Sequence, residues 1–287
     1  MAFARAQLAE YSGGARNQRI ATLAAYDLQA GTYVDGARKN PEFNKTWCKQ
    51  LAELLDPLLP PNGTLVEVGV GEATTLSGVL HELGNKAQRS FGFDISWSRI
   101  KVANDWLLEK SQQSELFVGD LFHIPLADNS IDVVYSAHSF EPNGGHEEWL
   151  IAECLRVARI GVVLVEPIYE LASLEAQERM RSHGYVRGLR RAAEKMDCAI
   201  DDYRLLQCIL NPLNPSGVLK LKKAAVLSQC DESSESVLWQ CPLTGKSLVK
   251  KGGYFLAEGA GIAYPILGGV PLLRPEHGVI ASLIGQS

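Results

Sequence analysis

The 287-residue sequence predicts an α/β fold, a doubly wound, mostly parallel sheet of about seven strands that ends in an antiparallel hairpin, followed by a small C-terminal β-rich module. Three observations carry this expectation. Short apolar runs alternate with helical patterns through residues 65–165, which implies right-handed βαβ crossovers with helices on both faces of the sheet. Two strand-like runs at 203–210 and 218–227 then follow one another across residues 211–217, a loop too short for a parallel crossover. Finally, turn-rich strand patterns fill the last fifty or so residues behind a polar stretch at 231–236.

Residues 1–40 are irregular, with Gly13, Gly14, Gly31 and Gly36, yet they carry Tyr11, Arg16, Tyr26 and Tyr33. Such a segment wraps the body or, together with Trp47, closes as a lid over a site. From Pro41, the spacing of Phe43, Trp47, Leu51, Leu54, Leu55 and Leu58 is helical, and Pro57, Pro60 and Pro61 end the helix. Strands at 65–70, 90–95, 116–118, 131–136 and 161–165 are separated by helices at 74–83, 98–108 and 147–158. Residues 171–197 are helical with breaks at Gly184 and Gly188. The expected units are a wrapping segment at 1–40, a main domain at 41–230 with a helical insertion at 171–197, and a module at 236–287 too small to hold much core alone.

Charge and apolar pattern exclude several functions. With 28 Lys and Arg against 33 Asp and Glu, the net charge of −5 offers no global positive field for a phosphate backbone, so nucleic acid is a disfavoured partner. No apolar run approaches the roughly 20 residues that span a bilayer, and the N-terminus has no apolar signal core, so the expected compartment is cytoplasmic. The six cysteines have no Cys-x-x-Cys pair and read as reduced thiols.

The strongest motif is LVEVGVGEATT at 65–75, a strand running into a Gly-x-Gly turn and then a helix. Gly69 and Gly71 let the backbone approach a bound nucleoside, and Asp94, at the end of the next strand, is placed to accept from both ribose hydroxyls. The absence of the third glycine of the dinucleotide fingerprint speaks against a nicotinamide dinucleotide. Asp120 and Leu121 follow the third strand, Ala137 and His138 the fourth, and Glu166, Tyr169 and Glu170 the fifth. These strand ends share one edge of the sheet.

In order and spacing, this series over residues 62–228 resembles the class I S-adenosylmethionine-dependent methyltransferases, with their Rossmann-like fold. The resemblance implies that S-adenosylmethionine is the cofactor. It places Glu67, Gly69 and Gly71 beside its methionine and ribose portions, Asp94 at the ribose, Ile95 and Leu121 at the adenine faces, Asp120 at the adenine edge and Ala137 along the same edge of the site. Ala73 stands where the family has its third glycine. The last fifty residues resemble small zinc-ribbon-like modules that accompany some tRNA and protein methyltransferases. Cys230, Cys241 and His277 do not make a recognisable set of four ligands, so no metal is expected.

Methyl transfer from a sulfonium needs positioning and desolvation above all, and a base where the acceptor is a hydroxyl. His138, His146 and Glu166 are the candidates for that chemistry, and Glu141, Tyr169, Glu170 and Arg187 for acceptor contacts. Arg179, Arg181, Arg187, Arg190, Arg191 and Lys195 make the insertion basic, which suits either a solvated face or an anionic acceptor. The expected activity is methyl transfer to an oxygen or nitrogen of a small, carbohydrate-derived or anionic acceptor. The alternatives are a protein or tRNA acceptor docked by the C-terminal module, or a cofactor binder without turnover. A homodimer is left open.

Overall fold

A computed structural model of the chain describes residues 19–209, 211–223 and 238–284. Tyr11, Arg16, Cys230 and the polar stretch at 231–236 lie outside the described residues. Among the described residues three helices come first, α1 (Arg19–Asp27), α2 (Thr32–Lys39) and α3 (Pro41–Leu55). Pro41 opens α3 where a missing N–H costs nothing, and Trp47, Cys48, Leu51, Leu54 and Leu55 form its buried face.

The main sheet contains β1 (Gly63–Val68), β2 (Ala87–Asp94), β3 (Glu115–Val118), β4 (Ile131–Ala137), β5 (Ala158–Pro167), β6 (Cys198–Leu205) and β7 (Ser216–Lys223). Their spatial order is β3-β2-β1-β4-β5-β7-β6, with β1 to β5 parallel and β7 antiparallel to both neighbours. Helices α4 (Thr74–Leu83), α5 (Trp97–Glu109) and α6 (Glu147–Val157) cover the faces. The central strands are apolar at nearly every position because both faces are covered, leaving Leu65, Val66, Val68, Val133, Val134, Val162 and Leu164 without exposure. The order reverses between β1 and β4, so consecutive connections leave on opposite sides and open a crevice at the carboxyl ends of these strands.

The expected hairpin is present, but its strands begin earlier, at Cys198 and Ser216. β6 is an edge strand alternating between half-buried and exposed positions, so it tolerates Asp201 and Asp202, which look like loop in the sequence. The insertion is two helices, α7 (Leu174–His183) and α8 (Leu189–Ala193), bounded by Gly184 and Gly188 in the left-handed region at φ 69° and 71°.

Beyond residue 238, β8 (Leu248–Lys251), β9 (Tyr254–Ala257), β10 (Ile262–Leu267), β11 (Val270–Pro271) and β12 (Val279–Ile280) form a second, antiparallel sheet. It docks on the β3 edge. Trp239 stands edge-on to Phe91, Phe117 and Phe255, with ring centroids 5.2 to 6.2 Å apart, and pairs with Leu126 through the backbone. Cys241, Leu248, Phe255, Tyr264 and Leu273 thereby join the main core, which answers the shortage of core in so small a module.

Candidate active site

A cavity of about 790 Å³ lies over the carboxyl ends of the parallel strands. Gly69, the first residue of the Gly-x-Gly turn, lines it. Gly69 has φ 69°, and a Cβ there would lie 2.2 Å from Ser139 Cβ, so only glycine lets the loops after β1 and β4 meet. Ala73, in place of the third glycine, still adopts φ 56°. The chain therefore keeps the left-handed turn at that position, at a cost of about 1 kcal/mol for a residue with a side chain.

Asp94 ends β2 facing the cavity. Its Oδ1 accepts from Ser96 N–H at 2.9 Å and its Oδ2 from Gly71 N–H at 3.2 Å. Burial raises its pKa above the usual carboxylate value, against the lowering effect of the Ser96 N–H and the Arg99 guanidinium. Ile95, Gly119, Asp120, Leu121 and Phe122 continue the wall.

The N-terminal helices close the top. Glu72, with no exposed surface, accepts hydrogen bonds from the backbone N–H groups of Gly31, Tyr33 and Val34 at 2.9, 3.0 and 2.8 Å. Its carboxylate thus sits at the amino end of α2, where unpaired N–H groups and the helix dipole favour negative charge. Arg99 reinforces this by donating from Nε to Tyr26 O at 3.0 Å, its guanidinium lying 4.9 and 4.4 Å from the Tyr26 and Tyr33 ring centroids. Ser96 Oγ donates to Asp27 at 2.7 Å. Tyr26, Tyr33 and Trp47 all line the cavity.

The opposite half is built by His138, which lines the cavity at φ 62°, an uncommon conformation for a residue with a side chain. Its Nδ1 lies 3.0 Å from Glu141 Oε2 and its Nε2 2.7 Å from Ser216 Oγ. Burial alone would raise the Glu141 pKa, but His138, Tyr185 and Asn214 hydrogen bond to it and hold it below the usual value. An ionised Glu141 has no proton to give, so Nδ1 is the donor in that contact, and whenever the ring is neutral its Nε2 accepts from the Ser216 hydroxyl. The ring of Trp47 packs 6.0 Å from that of His138.

Gly69, Asp94, Ile95, Asp120, Leu121, Ala137, His138 and Glu141 thus meet around one cavity. The other candidates do not. Glu67 is buried behind the turn and accepts from Tyr135 Oη at 2.7 Å; burial pushes its pKa up to about 8. Gly71 is set back from the cavity wall and acts on it through Asp94. Glu166 is sealed in, accepting from the Ser139 and Phe140 N–H groups, so it shapes the loop carrying His138 instead of touching a ligand.

His146 lies at the surface as the residue preceding α6, its ring against Phe122. Glu170 accepts from Gly188 N–H at 2.6 Å and Tyr203 Oη at 3.3 Å, while Arg187 lies over the Tyr169 ring, all outside the cavity. The basic insertion is a solvated face in which Arg181, Arg190 and Lys195 pair with Glu178, Glu194 and Glu148. Ser216 and Arg274 belong to the site but come from distant elements with no motif around them, while Arg99 and Asn143 lie close in the chain to Asp94 and Glu141 without forming a pattern with them.

The cavity suits an adenosyl cofactor. It is large enough for such a molecule and a small acceptor together, a carboxylate stands at a strand end, and the Ser139 hydroxyl is buried at the Gly69 turn with no partner among the described residues. Among those residues no group of three or more His, Cys, Asp or Glu side chains is arranged to hold a metal ion, and Cys241 instead lies 3.3 Å from Tyr264 Oη. No described helix is long and apolar enough to cross a membrane.

Residues 66–165 match a family model described as a methyltransferase domain. No curated protein matches the chain. Among solved structures, the magnesium protoporphyrin IX methyltransferase of Synechocystis PCC 6803, with bound S-adenosylhomocysteine, is similar at 13% identity and a TM-score of 0.54. That match covers 70% of this chain and 99% of the other. A chain from the complex of the Haloferax volcanii Trm112 methyltransferase activator with a methyltransferase is similar at 15% identity and a TM-score of 0.53, covering 69% of this chain and 98% of its own. A Galdieria sulphuraria protein described as a sarcosine dimethylglycine methyltransferase is similar at 13% identity and a TM-score of 0.51, covering 64% of this chain and 85% of its own. The sheet with its helices is thus the Rossmann-like methyltransferase fold, and the match of residues 66–165 to a methyltransferase domain makes the chain an enzyme.

Proposed function

We propose that this enzyme transfers the methyl group to an oxygen or nitrogen of a small, neutral, hydroxyl-bearing acceptor held between Trp47 and the His138–Glu141 pair. The observation that carries this reading is the lining of the acceptor half. Phe43 and Trp47 offer flat apolar faces, and Asn40, Asn44 and Asn143 offer amides that both donate and accept. An anionic acceptor draws less support, because the insertion's basic side chains stand outside the cavity and Arg181, Arg190 and Lys195 pair with acidic neighbours. A carbohydrate-derived acceptor fits the mixture of aromatic and amide groups.

Bound S-adenosylmethionine supplies a methyl group already activated on a sulfonium. Asp94 accepts from the ribose hydroxyls, Ile95 and Leu121 flank the adenine, Asp120 meets its amino edge, and the Gly69 backbone with the Ser139 hydroxyl borders the amino-acid portion. The lid excludes water and fixes the acceptor in line with the methyl group. The acceptor's proton goes to His138 Nε2, displacing the Ser216 hydroxyl, while Glu141 stabilises the resulting imidazolium across Nδ1. Tyr185 of the insertion holds Glu141 in place.

The test is an incubation of the enzyme with isotope-labelled S-adenosylmethionine and a metabolite extract, followed by fractionation. Label is expected in the small-molecule fraction, reduced at least tenfold by His138→Ala while affinity for S-adenosylhomocysteine stays near that of the wild type. Label confined to protein or tRNA, or a matched loss of binding and turnover in the variant, would overturn the reading.

A further inference from the structure

The C-terminal module touches the cofactor cavity as well as the core. Val118, the last residue of β3, forms a parallel bridge with Leu272, and Leu273 N–H donates to Val118 O at 2.8 Å. Residues 272 and 273 therefore continue the main sheet for a short distance past its β3 edge, in the same direction as β3. In a parallel sheet all carboxyl ends emerge on the ligand side. The next residue, Arg274, must then emerge there too, and it lines the cavity beside Gly119, Asp120 and Leu121.

Arg274 is held in that position. Its residue exposure is 7%, and Nη2 pairs with Glu276 two residues further on. The module cannot slide along the edge, because Trp239 is wedged among three aromatic rings and Trp97 Nε1 donates to Leu267 O at 3.1 Å. The other arginine lining the cavity, Arg99, is committed to the lid through Tyr26 and Gln29.

We propose that Arg274 is a cofactor-binding residue supplied by the C-terminal module, its guanidinium engaging the adenine end of S-adenosylmethionine. The chemistry matches, since the ring nitrogens of adenine are hydrogen-bond acceptors, a guanidinium only donates, and its plane stacks on aromatic faces. Asp120 takes the complementary share, an acceptor for the amino group. The module is on this account a wall of the cofactor site. A docking platform for a macromolecular acceptor would instead belong at the other end of the cavity, near Trp47 and His138.

The proposal rests on the cofactor assignment above, and adenosine as a probe separates the two. Calorimetric titration of S-adenosylhomocysteine and of adenosine into the wild type, Arg274→Met and Arg274→Lys is the experiment, with thermal melts in parallel. Arg274→Met is expected to weaken both ligands by the same factor, about tenfold, with a wild-type melt, and Arg274→Lys to recover part of the loss. Adenosine binding within twofold of wild type in Arg274→Met overturns the proposal. So does an equal loss in both variants together with a lowered melt, which makes Arg274 a strut for the module. A wild type that binds neither ligand overturns the cofactor assignment itself.

Discussion

Replacing Glu72 with alanine removes the anchor of the lid at a residue that does not itself line the cavity. Three backbone N–H groups lose a charged acceptor at 2.8 to 3.0 Å, and α2 loses the negative charge at its amino end. Hydrogen bonds to charged groups contribute about 1.5–3 kcal/mol each and a carboxylate at a helix amino end about 0.3–1 kcal/mol. The sum is about 5–10 kcal/mol, but because the three bonds share one carboxylate and the freed N–H groups regain water, the loss falls below it, at about 3–5 kcal/mol. Losing that much closing energy raises the open population of the lid at least about a hundredfold. Hydrogen exchange read by mass spectrometry on peptides covering residues 31–39 should show protection falling by that factor, while peptides from β1 and β4 stay protected. Affinity for S-adenosylhomocysteine should fall with it, since Tyr26 and Tyr33 would no longer wall the cavity. Exchange at Tyr33 and Val34 within twofold of wild type would refute the reasoning.

Three further outcomes follow from the same structure. Asp94→Ala should weaken S-adenosylhomocysteine by about 1.5–3 kcal/mol, or ten- to a hundredfold, through lost charge-assisted hydrogen bonds, and calorimetry showing unchanged affinity would remove Asp94 from the ribose. Glu67 has its folded pKa raised from 4.5 to about 8, so the folded state binds more protons than the unfolded one in that window and Glu67 subtracts stability as pH rises through it. Glu67→Gln should therefore gain stability over wild type at pH 8 and little at pH 5 in urea titrations; an equal offset at both would contradict that assignment. Trp239→Ala should cost about 3 kcal/mol and loosen the module, seen as a lower melting temperature with raised exchange across residues 248–267. A melt unchanged from wild type would mean the three ring contacts hold nothing.

The sheet was readable because strands buried on both faces leave unbroken apolar runs, and the reversal at β1 and β4 follows from their connections. That Gly69 and Asp94 meet at one cavity was readable as well, from a strand running into a Gly-x-Gly turn and a carboxylate at the end of the next strand. Strand-end position, however, gives the edge and not the direction of a side chain. Glu166 lies at the end of β5 and Glu170 just past the strand, yet one turns inward to bind the 139–140 backbone and the other outward to Gly188. Glu72 lies inside the recognised motif, but its role depends on N–H groups of the lid segment that no local pattern connects to it. Arg274 was invisible for the same reason, as it reaches the site through the docking of a separate sheet. The early start of β6 was missed because an edge strand need not be apolar.

The central claim is that the cavity above the Gly69 turn binds the adenosyl cofactor. A co-crystal structure with S-adenosylhomocysteine tests it most directly. The account predicts the ribose hydroxyls on the Asp94 carboxylate, the adenine between Ile95 and Leu121, and the sulfur facing the His138–Glu141 side. A ligand bound elsewhere on the chain, with Asp94 still bonded only to the Gly71 and Ser96 N–H groups, would contradict it.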